Sequence, residues 1–267
     1  MRFFLSRSTP FFVGAMILVS LLGCLAPPTS TPPPPLQPVE VALTPALTPV
    51  QAALHTCALA QPEIALLLTE TTASYLPVQT ADLSLRLGPP ADSTGFAAPL
   101  SEEQIVVITN PANPIATMKA GELRSVFNGE NERWDELGGR KQSIQVWVYP
   151  EGDEISQVFR QAILAGKSFS SLALLAPDPS AMLEAVSGDS AAIGFLPKAW
   201  LQGGVKAIQL DQVLQDSLHQ PVLALSEAEP QGAVREFLYC LQSGPGQKVL
   251  SERYPAQESL SNPAQAP

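Results

Sequence analysis

The sequence has few of the residues on which most catalytic and metal sites depend. Its 267 residues include two histidines and three cysteines, too few nitrogen and sulfur ligands for the usual kind of zinc site. Lys and Arg number 15 against 25 Asp and Glu, a net charge of −10, and no basic run offers nucleic acid a positive surface. The Gly-x-Ser-x-Gly, His-Glu-x-x-His and phosphate-binding glycine-rich motifs are all missing. We therefore predict no enzyme, no metal, no cofactor and no nucleic-acid partner.

Two weaker catalytic signals remain. His55 lies in a predicted helix and His219 in a predicted loop, so we interpret both as packing or surface residues. Adjacent acids stand at positions 102–103 and 153–154, and paired carboxylates serve glycoside hydrolases. Neighbouring acids are more often a solvated face or a helix start. An exported enzyme that uses paired carboxylates therefore remains a weak alternative, because the sequence has such acids but no catalytic motif around them.

The N-terminus has the pattern of a secretory signal. Arg2 and Arg7 precede an apolar run over residues 11–22, which is too short for a comfortable membrane span but fits the core of a signal peptide. The run ends in Leu-Leu-Gly-Cys at residues 21–24, which resembles a bacterial lipobox. That resemblance implies cleavage after residue 23 and a lipid on Cys24. The alternative is an ordinary signal anchor with an incidental cysteine.

Composition then divides the rest of the chain. Residues 24–38 are rich in proline, which predicts an extended, semi-rigid tether. We expect a folded domain over residues 39–255 and a flexible tail over residues 256–267. Cys57 and Cys240 lie in a predicted first helix and a predicted penultimate helix. In an exported protein they form either a disulfide or two buried thiols, and the sequence leaves both open.

Short apolar runs alternate with helical patterns along the folded part, which predicts an α/β fold with mostly parallel strands. The predicted strands cover residues 39–43, 64–68, 82–87, 105–108, 144–148, 192–196, 205–210 and 222–225. The predicted helices cover residues 49–60, 117–127, 153–164, 180–186, 231–241 and 246–253. Ligands in such folds lie beyond the carboxyl ends of strands, near helix N-termini.

A series of motifs resembles one family. In chain order these are the strand and turn IVVITNP (105–111), LRSVFNG (123–129), WDELGG (134–139), AAIGF (191–195) and GQKVL (246–250). Their order and spacing resemble phosphate-type periplasmic solute-binding proteins of ABC importers, over about residues 39–255. The resemblance implies a two-lobe periplasmic binding protein-like fold, with mixed sheets flanked by helices and a cleft between the lobes.

The resemblance also implies a role and partners. Such a protein is a monomer that closes over a small solute, here phosphate or another oxyanion, and delivers it to an ABC transporter permease. With the lipobox and tether, it would be an extracytoplasmic lipoprotein of a bacterial cell envelope, held at the membrane by its lipid. The family binds its anion with helix N-terminal N–H groups, hydroxyls, an Arg and an Asp. For this chain we predict that the cleft and its ligand are lined by Thr44, Thr69, Thr71, Thr72, Arg86 and Ser156.

The sequence departs from the family at this site. Arg86-Leu87 stands where the family has Ser-Asp, and Asp153-Glu154-Ile155 replaces a Ser-Gly-Thr turn at a helix start. Tyr149 replaces an Arg just before it. We expect the two carboxylates to cap the helix and to repel an anion, and Arg86 to offer one compensating donor. A second hypothesis is therefore a degenerate binding module, acting as an envelope sensor or interaction domain without solute transport.

Overall fold

The predicted alternation of strands and helices builds a nine-stranded mixed sheet in the computed structural model, which describes residues 35–76, 81–89 and 95–254. The strands are β1 (Gln37–Leu43), β2 (Ile64–Glu70), β3 (Leu83–Leu87), β4 (Phe96–Thr109), β5 (Gln145–Val148), β6 (Leu174–Leu175), β7 (Ala192–Pro197), β8 (Lys206–Ala207) and β9 (His219–Ser226). The predicted signal, Cys24, the tail and residues 24–34 of the tether lie outside the described residues.

Seven α-helices among the described residues pack on this sheet. They are α1 (Gln51–Ala60), α2 (Ala120–Phe127), α3 (Glu154–Leu164), α4 (Pro179–Gly188), α5 (Gln212–Ser217), α6 (Gly232–Ser243) and α7 (Pro245–Arg253). No helix in the described part of the chain combines the length and the apolar character that a membrane span needs.

The strand order is β2-β1-β3-β9-β4-β7-β5-β6, with β8 pairing on β4. β1 runs parallel to β2 and β3, and β5 runs parallel to β6 and β7. β4 and β9 are antiparallel to their neighbours. The expectation of mostly parallel strands therefore holds at the two ends of the sheet and fails at its centre. We call β1–β3 and β9 with α1, α6 and α7 the first lobe, and β5–β8 with α2–α4 the second lobe.

β4 connects the two lobes. Its first part, Phe96–Gln104, pairs with β9, and its second part, Ile105–Thr109, pairs with β7. The sequence predicted only residues 105–108 as a strand. The earlier part was missed because polar residues interrupt it, and because Pro99 there coincides with a break in register against β9.

The first lobe is joined covalently. α1, α6 and α7 pack together, and the sulfurs of Cys57 and Cys240 form a disulfide with Cα atoms 5.8 Å apart. Gly246 allows this approach, because a Cβ there would lie 2.3 Å from Cys57 Sγ. Of the two states that the sequence left open, the structure contains the disulfide.

Buried phenylalanines fix the position of α3 in the second lobe. Phe159 of α3 stacks on Phe195 of β7 with ring centroids 3.9 Å apart, and Phe127 of α2 lies 4.6 Å from Phe159. All three side chains are fully buried. This packing fixes α3 against β7 and α2.

Three elements differ from the prediction. The helix predicted over residues 49–60 begins at Gln51 instead, because a 3₁₀ turn over Pro45–Val50 leads into α1. The strand predicted over residues 64–68 extends to Glu70 as β2, which is an edge strand with several half-exposed side chains. α5 was not predicted, although Asp211 caps it by accepting a hydrogen bond from the N–H of Leu214.

Candidate functional site

The candidate site lies where β1 and β3 of the first lobe end opposite the start of α3 in the second. Parallel neighbouring strands bring their carboxyl ends to one edge of a sheet, where ligands commonly bind. Thr44 follows β1, Arg86 and Leu87 complete β3, and Glu154 is the first residue of α3. We use the name donor seat for three groups of the first lobe: the Thr44 hydroxyl, the Arg86 guanidinium and the Leu87 backbone N–H.

Asp153 caps α3, as the sequence predicted. Its Oδ1 accepts hydrogen bonds from the N–H groups of Ile155 at 2.8 Å and Ser156 at 3.2 Å. These are N–H groups that a helix N-terminus otherwise leaves without partners. Two N–H groups that the family resemblance assigned to a ligand are therefore bonded within the chain.

Glu154 was expected to share this capping role, and it does something else. Its side chain is 1% exposed and reaches into the first lobe. The Thr44 hydroxyl donates to Glu154 Oε1 at 2.5 Å, and Arg86 Nε lies 3.9 Å from Oε2. The backbone N–H of Leu87 also faces the carboxylate and lowers its pKa. The donor seat thus already holds an anion, which belongs to the chain itself.

The contact between the donor seat and Glu154 leaves some polar atoms without a hydrogen bond. At 3.9 Å, Arg86 and Glu154 form an ion pair without a hydrogen bond. Within the described part of the chain, Arg86 Nε and Glu154 Oε2 are buried atoms that lack a hydrogen-bond partner. Unsatisfied buried polar atoms cost free energy and are uncommon in folded proteins. The carboxylate therefore fits this set of donors imperfectly.

Burial has the largest effect on the pKa values of Asp153 and Glu154. It raises the pKa of Glu154 from 4.5 to about 7, although Thr44, Arg86 and the Leu87 N–H lower it and the charge of Asp153 raises it further. Burial likewise raises the pKa of Asp153 to about 6, against the two N–H groups that it accepts from. Glu154 is therefore poised to change its charge near neutral pH.

A second contact joins the lobes beside the seat. Ser74 Oγ of the first lobe donates to the carbonyl oxygen of Gly152 at 3.4 Å. Gly152 has φ +91°, and a Cβ there would lie 2.5 Å from Ser74 Oγ. The residues before α3 therefore rest directly on the first lobe.

The structure brings together only part of the predicted ligand set. Thr44 and Arg86 meet at Glu154, whereas the Ser156 hydroxyl donates to the carbonyl oxygen of Tyr149 at 3.0 Å. Thr69 and Thr72 are exposed, and the N–H of Thr71 donates to the Leu43 carbonyl oxygen. That these residues bind a solute stays a prediction.

Sequence reasoning missed the contact between Glu154 and the donor seat. The available signal was positional: Glu154 replaces a residue of the turn that binds the ligand in the family that the sequence resembles. A helix start needs one cap, and Asp153 supplies it, so a second adjacent acid was free for another role.

The comparisons with known proteins agree with this architecture. The model of the family described as bacterial extracellular solute-binding protein matches residues 82–254, which is more than half of the chain. The chain belongs to this family. The chain is also 26% identical over 170 residues to the phosphate-binding protein PstS of Bacillus subtilis. That match covers 58% of this chain and 56% of PstS, so the chain spans little more than half of this curated relative.

Solved structures extend the likeness of the chain to its fold. A Clostridium perfringens protein solved with bound phosphate superposes with a TM-score of 0.72 at 17% identity, covering 82% of this chain and 98% of that one. An ABC-type phosphate transport receptor from Vibrio cholerae gives 0.64 at 19% identity, covering 81% and 98%. The predicted two-lobe α/β fold and the family resemblance are confirmed.

Proposed function

We propose that the protein is a lipid-anchored extracytoplasmic solute-binding protein of an ABC importer and that its solute is a small oxyanion such as phosphate. Membership of the solute-binding family and the phosphate-binding relative support this. The observation that carries the proposal is the donor seat, in which a hydroxyl, a guanidinium and a backbone N–H of one lobe surround an anion of the other. Such donors are those that bind oxyanions.

The proposed location rests on the N-terminal sequence. Residues 1–23 would be removed, Cys24 would carry the lipid, and the proline-rich residues 24–38 would hold the domain away from the membrane. β1 begins at Gln37, two residues inside the proposed tether. The folded domain would then act as a monomer that presents its solute to a permease.

The test is a titration of the chain from residue 25, made without lipid. Bound solute is removed by unfolding, and the protein is refolded under oxidising conditions that keep the disulfide. We expect a saturable calorimetric isotherm with phosphate and a rise in Tm that follows RT ln(1 + [L]/Kd). Sulfate, molybdate, cations and sugars follow on the same sample. A chain that binds none of them would contradict the proposal.

A second candidate is a binding-protein-like module that no longer carries a solute and acts as an envelope sensor or interaction domain. One observation favours it: Glu154 is 1% exposed and already bonded within the seat. The two candidates differ in one measurable property. A module without transport would show no saturable small-solute binding and no ligand-dependent change in Tm.

A further inference from the structure

We propose that Glu154 is a tethered competitor: its carboxylate occupies the donor seat when solute is absent, and an oxyanion binds by displacing it. This inference rests on the proposed oxyanion-binding function and adds a residue that sets its affinity. The seat lies in the first lobe and Glu154 in the second, so the side chain can leave the seat when the lobes part. The same residue would then control both lobe contact and solute affinity.

The seat has the chemistry of an anion site independently of Glu154. The Thr44 hydroxyl, the Leu87 N–H and the Arg86 guanidinium approach the carboxylate as donors. Thr44 is 1% exposed and the Arg86 side chain 14% exposed, so these donors are largely removed from water. Buried donors of this kind require an acceptor. With Glu154 withdrawn, an anion from solution is the natural replacement.

The incomplete fit of Glu154 makes displacement possible. Arg86 Nε has no hydrogen-bond partner in the described part of the chain, although Glu154 Oε2 is 3.9 Å away. The carboxylate has two oxygens and is fixed to α3, whereas a tetrahedral oxyanion has four and can adjust its position. A hydrogen bond between two charged groups is stronger than one between neutral groups. A free oxyanion can therefore recover an interaction that Glu154 leaves unmade.

The remaining charges near the seat limit the affinity of the wild-type chain. Asp153 stays bound to the N–H groups of Ile155 and Ser156, so these helix donors do not reach an anion. Its charge opposes any second anion, as it already raises the pKa of Glu154. Because Asp153 alone caps α3, removal of the Glu154 side chain leaves the start of the helix intact.

The test replaces Glu154 and measures anion affinity. Wild-type and Glu154→Ala proteins from residue 25 are titrated with inorganic phosphate and with sulfate by calorimetry at pH 7.5. If Glu154 fills the seat about nine-tenths of the time, its removal should tighten binding about tenfold, since apparent affinity scales with the competent fraction. Adding Arg86→Met to Glu154→Ala should abolish the gain, because it removes the charged donor.

Glu151→Ala is the matched control. Glu151 lies three positions before Glu154, and its side chain is 92% exposed. Removing it takes the same charge from the same end of α3 without touching the seat. We expect its phosphate affinity to stay within about twofold of wild type, because a solvent-exposed charge acts weakly across water. If Glu151→Ala raised phosphate affinity as much as Glu154→Ala does, the effect would come from the change in net charge alone. That result would overturn the inference.

Glu154→Gln provides a second variant of nearly the same size. Its amide oxygen can still accept from Thr44, but its NH₂ group faces other donors, so it should hold the seat less firmly and bind phosphate more tightly than wild type. Thermal melts establish that each variant is folded. If both variants unfold, the carboxylate is structural and cannot leave the seat, which also overturns the inference.

The outcomes separate this inference from the proposed function. Tighter phosphate or sulfate binding by the variants, with no detectable wild-type binding, supports the competitor and contradicts oxyanion uptake by the wild-type protein. Wild-type binding that the folded variants leave unchanged or weaken supports the uptake function and overturns the competitor. Absence of binding in every folded variant overturns the competitor too, because a vacated seat should then hold an anion.

Discussion

At the residue scale, the two adjacent carboxylates at the start of α3 have different partners. Asp153 accepts hydrogen bonds from two N–H groups within its own helix, which is a local interaction. Glu154 meets Thr44, 110 positions away in the chain. Helix capping follows from a few neighbouring residues, whereas the second contact requires two lobes to be folded and to meet.

The cap can be tested directly. Asp153→Ala leaves the N–H groups of Ile155 and Ser156 without their acceptor, and we expect a loss of about 1 kcal/mol in the free energy of unfolding. Urea denaturation measures the change. Asp178→Ala is the matched control, since Asp178 caps α4 rather than α3, by accepting from the N–H of Ala181. An Asp153 variant more stable than wild type would show that its burial costs more than its capping contributes.

The same contrast explains how much of the site the sequence could predict. Thr44 and Arg86, which the sequence analysis put in one ligand set, both contact Glu154 because each follows or ends a strand at one edge of the sheet. The exposure of Thr69 and Thr72 was not predictable, since it depends on β2 being an edge strand. The partner of Glu154 depends on the approach of the lobes, which no local pattern encodes.

At the scale of elements, the bounds of a helix follow from local sequence, whereas the bounds of a strand depend on pairing with distant strands. α3 was predicted within one residue because its apolar positions repeat at helical spacing. β4 was predicted only over residues 105–108, where it is continuously apolar, although it continues from Phe96 to Thr109. Its first part alternates buried and exposed side chains against β9. Such a strand takes its identity from its neighbour in the sheet.

The disulfide is the strongest link between elements distant in sequence. It joins α1 to α6 across 183 positions, so it restricts the unfolded chain strongly. We expect the double variant Cys57→Ala/Cys240→Ala to lose about 2–5 kcal/mol in the free energy of unfolding. Urea denaturation with and without reductant checks this. Reductant should destabilise the wild-type protein and leave the double variant unchanged. A wild-type midpoint insensitive to reductant would contradict the prediction.

At the scale of the whole molecule, buried carboxyls lie at two places where the lobes are connected. Glu154 is in the donor seat, and Glu103 is in β4 close to its crossing point. Glu103 is 3% exposed and accepts hydrogen bonds from the N–H groups of Gln104 at 2.7 Å and Ala199 at 3.2 Å. Burial raises its pKa from 4.5 to about 7, although these N–H groups and the charge of Lys198 lower it. Both carboxyl groups therefore change their charge near neutral pH.

These two groups make stability depend on pH in an unusual direction. Their pKa is about 7 in the folded chain and 4.5 ordinarily, so between these values the folded chain binds more protons than the unfolded chain. The free energy of unfolding then falls as pH rises through this window, by up to about 1.4 kcal/mol per pH unit for each carboxyl. Below pH 4.5 and above pH 7 their contribution to the slope disappears.

Thermal melts from pH 4.5 to pH 8 test this dependence. We expect the Tm of the wild-type protein to be higher at pH 5 than at pH 7.5. Glu103→Gln and Glu154→Gln should each reduce the slope, because each removes one group that takes up a proton on folding. The double variant should keep mainly the slope below pH 6 that Asp153 contributes, since the pKa of Asp153 is raised from 3.8 to about 6. A Tm that rises from pH 5 to pH 7.5 would mean that both carboxylates are stabilised in their charged form. Charged carboxylates would then stabilise the two connections between the lobes.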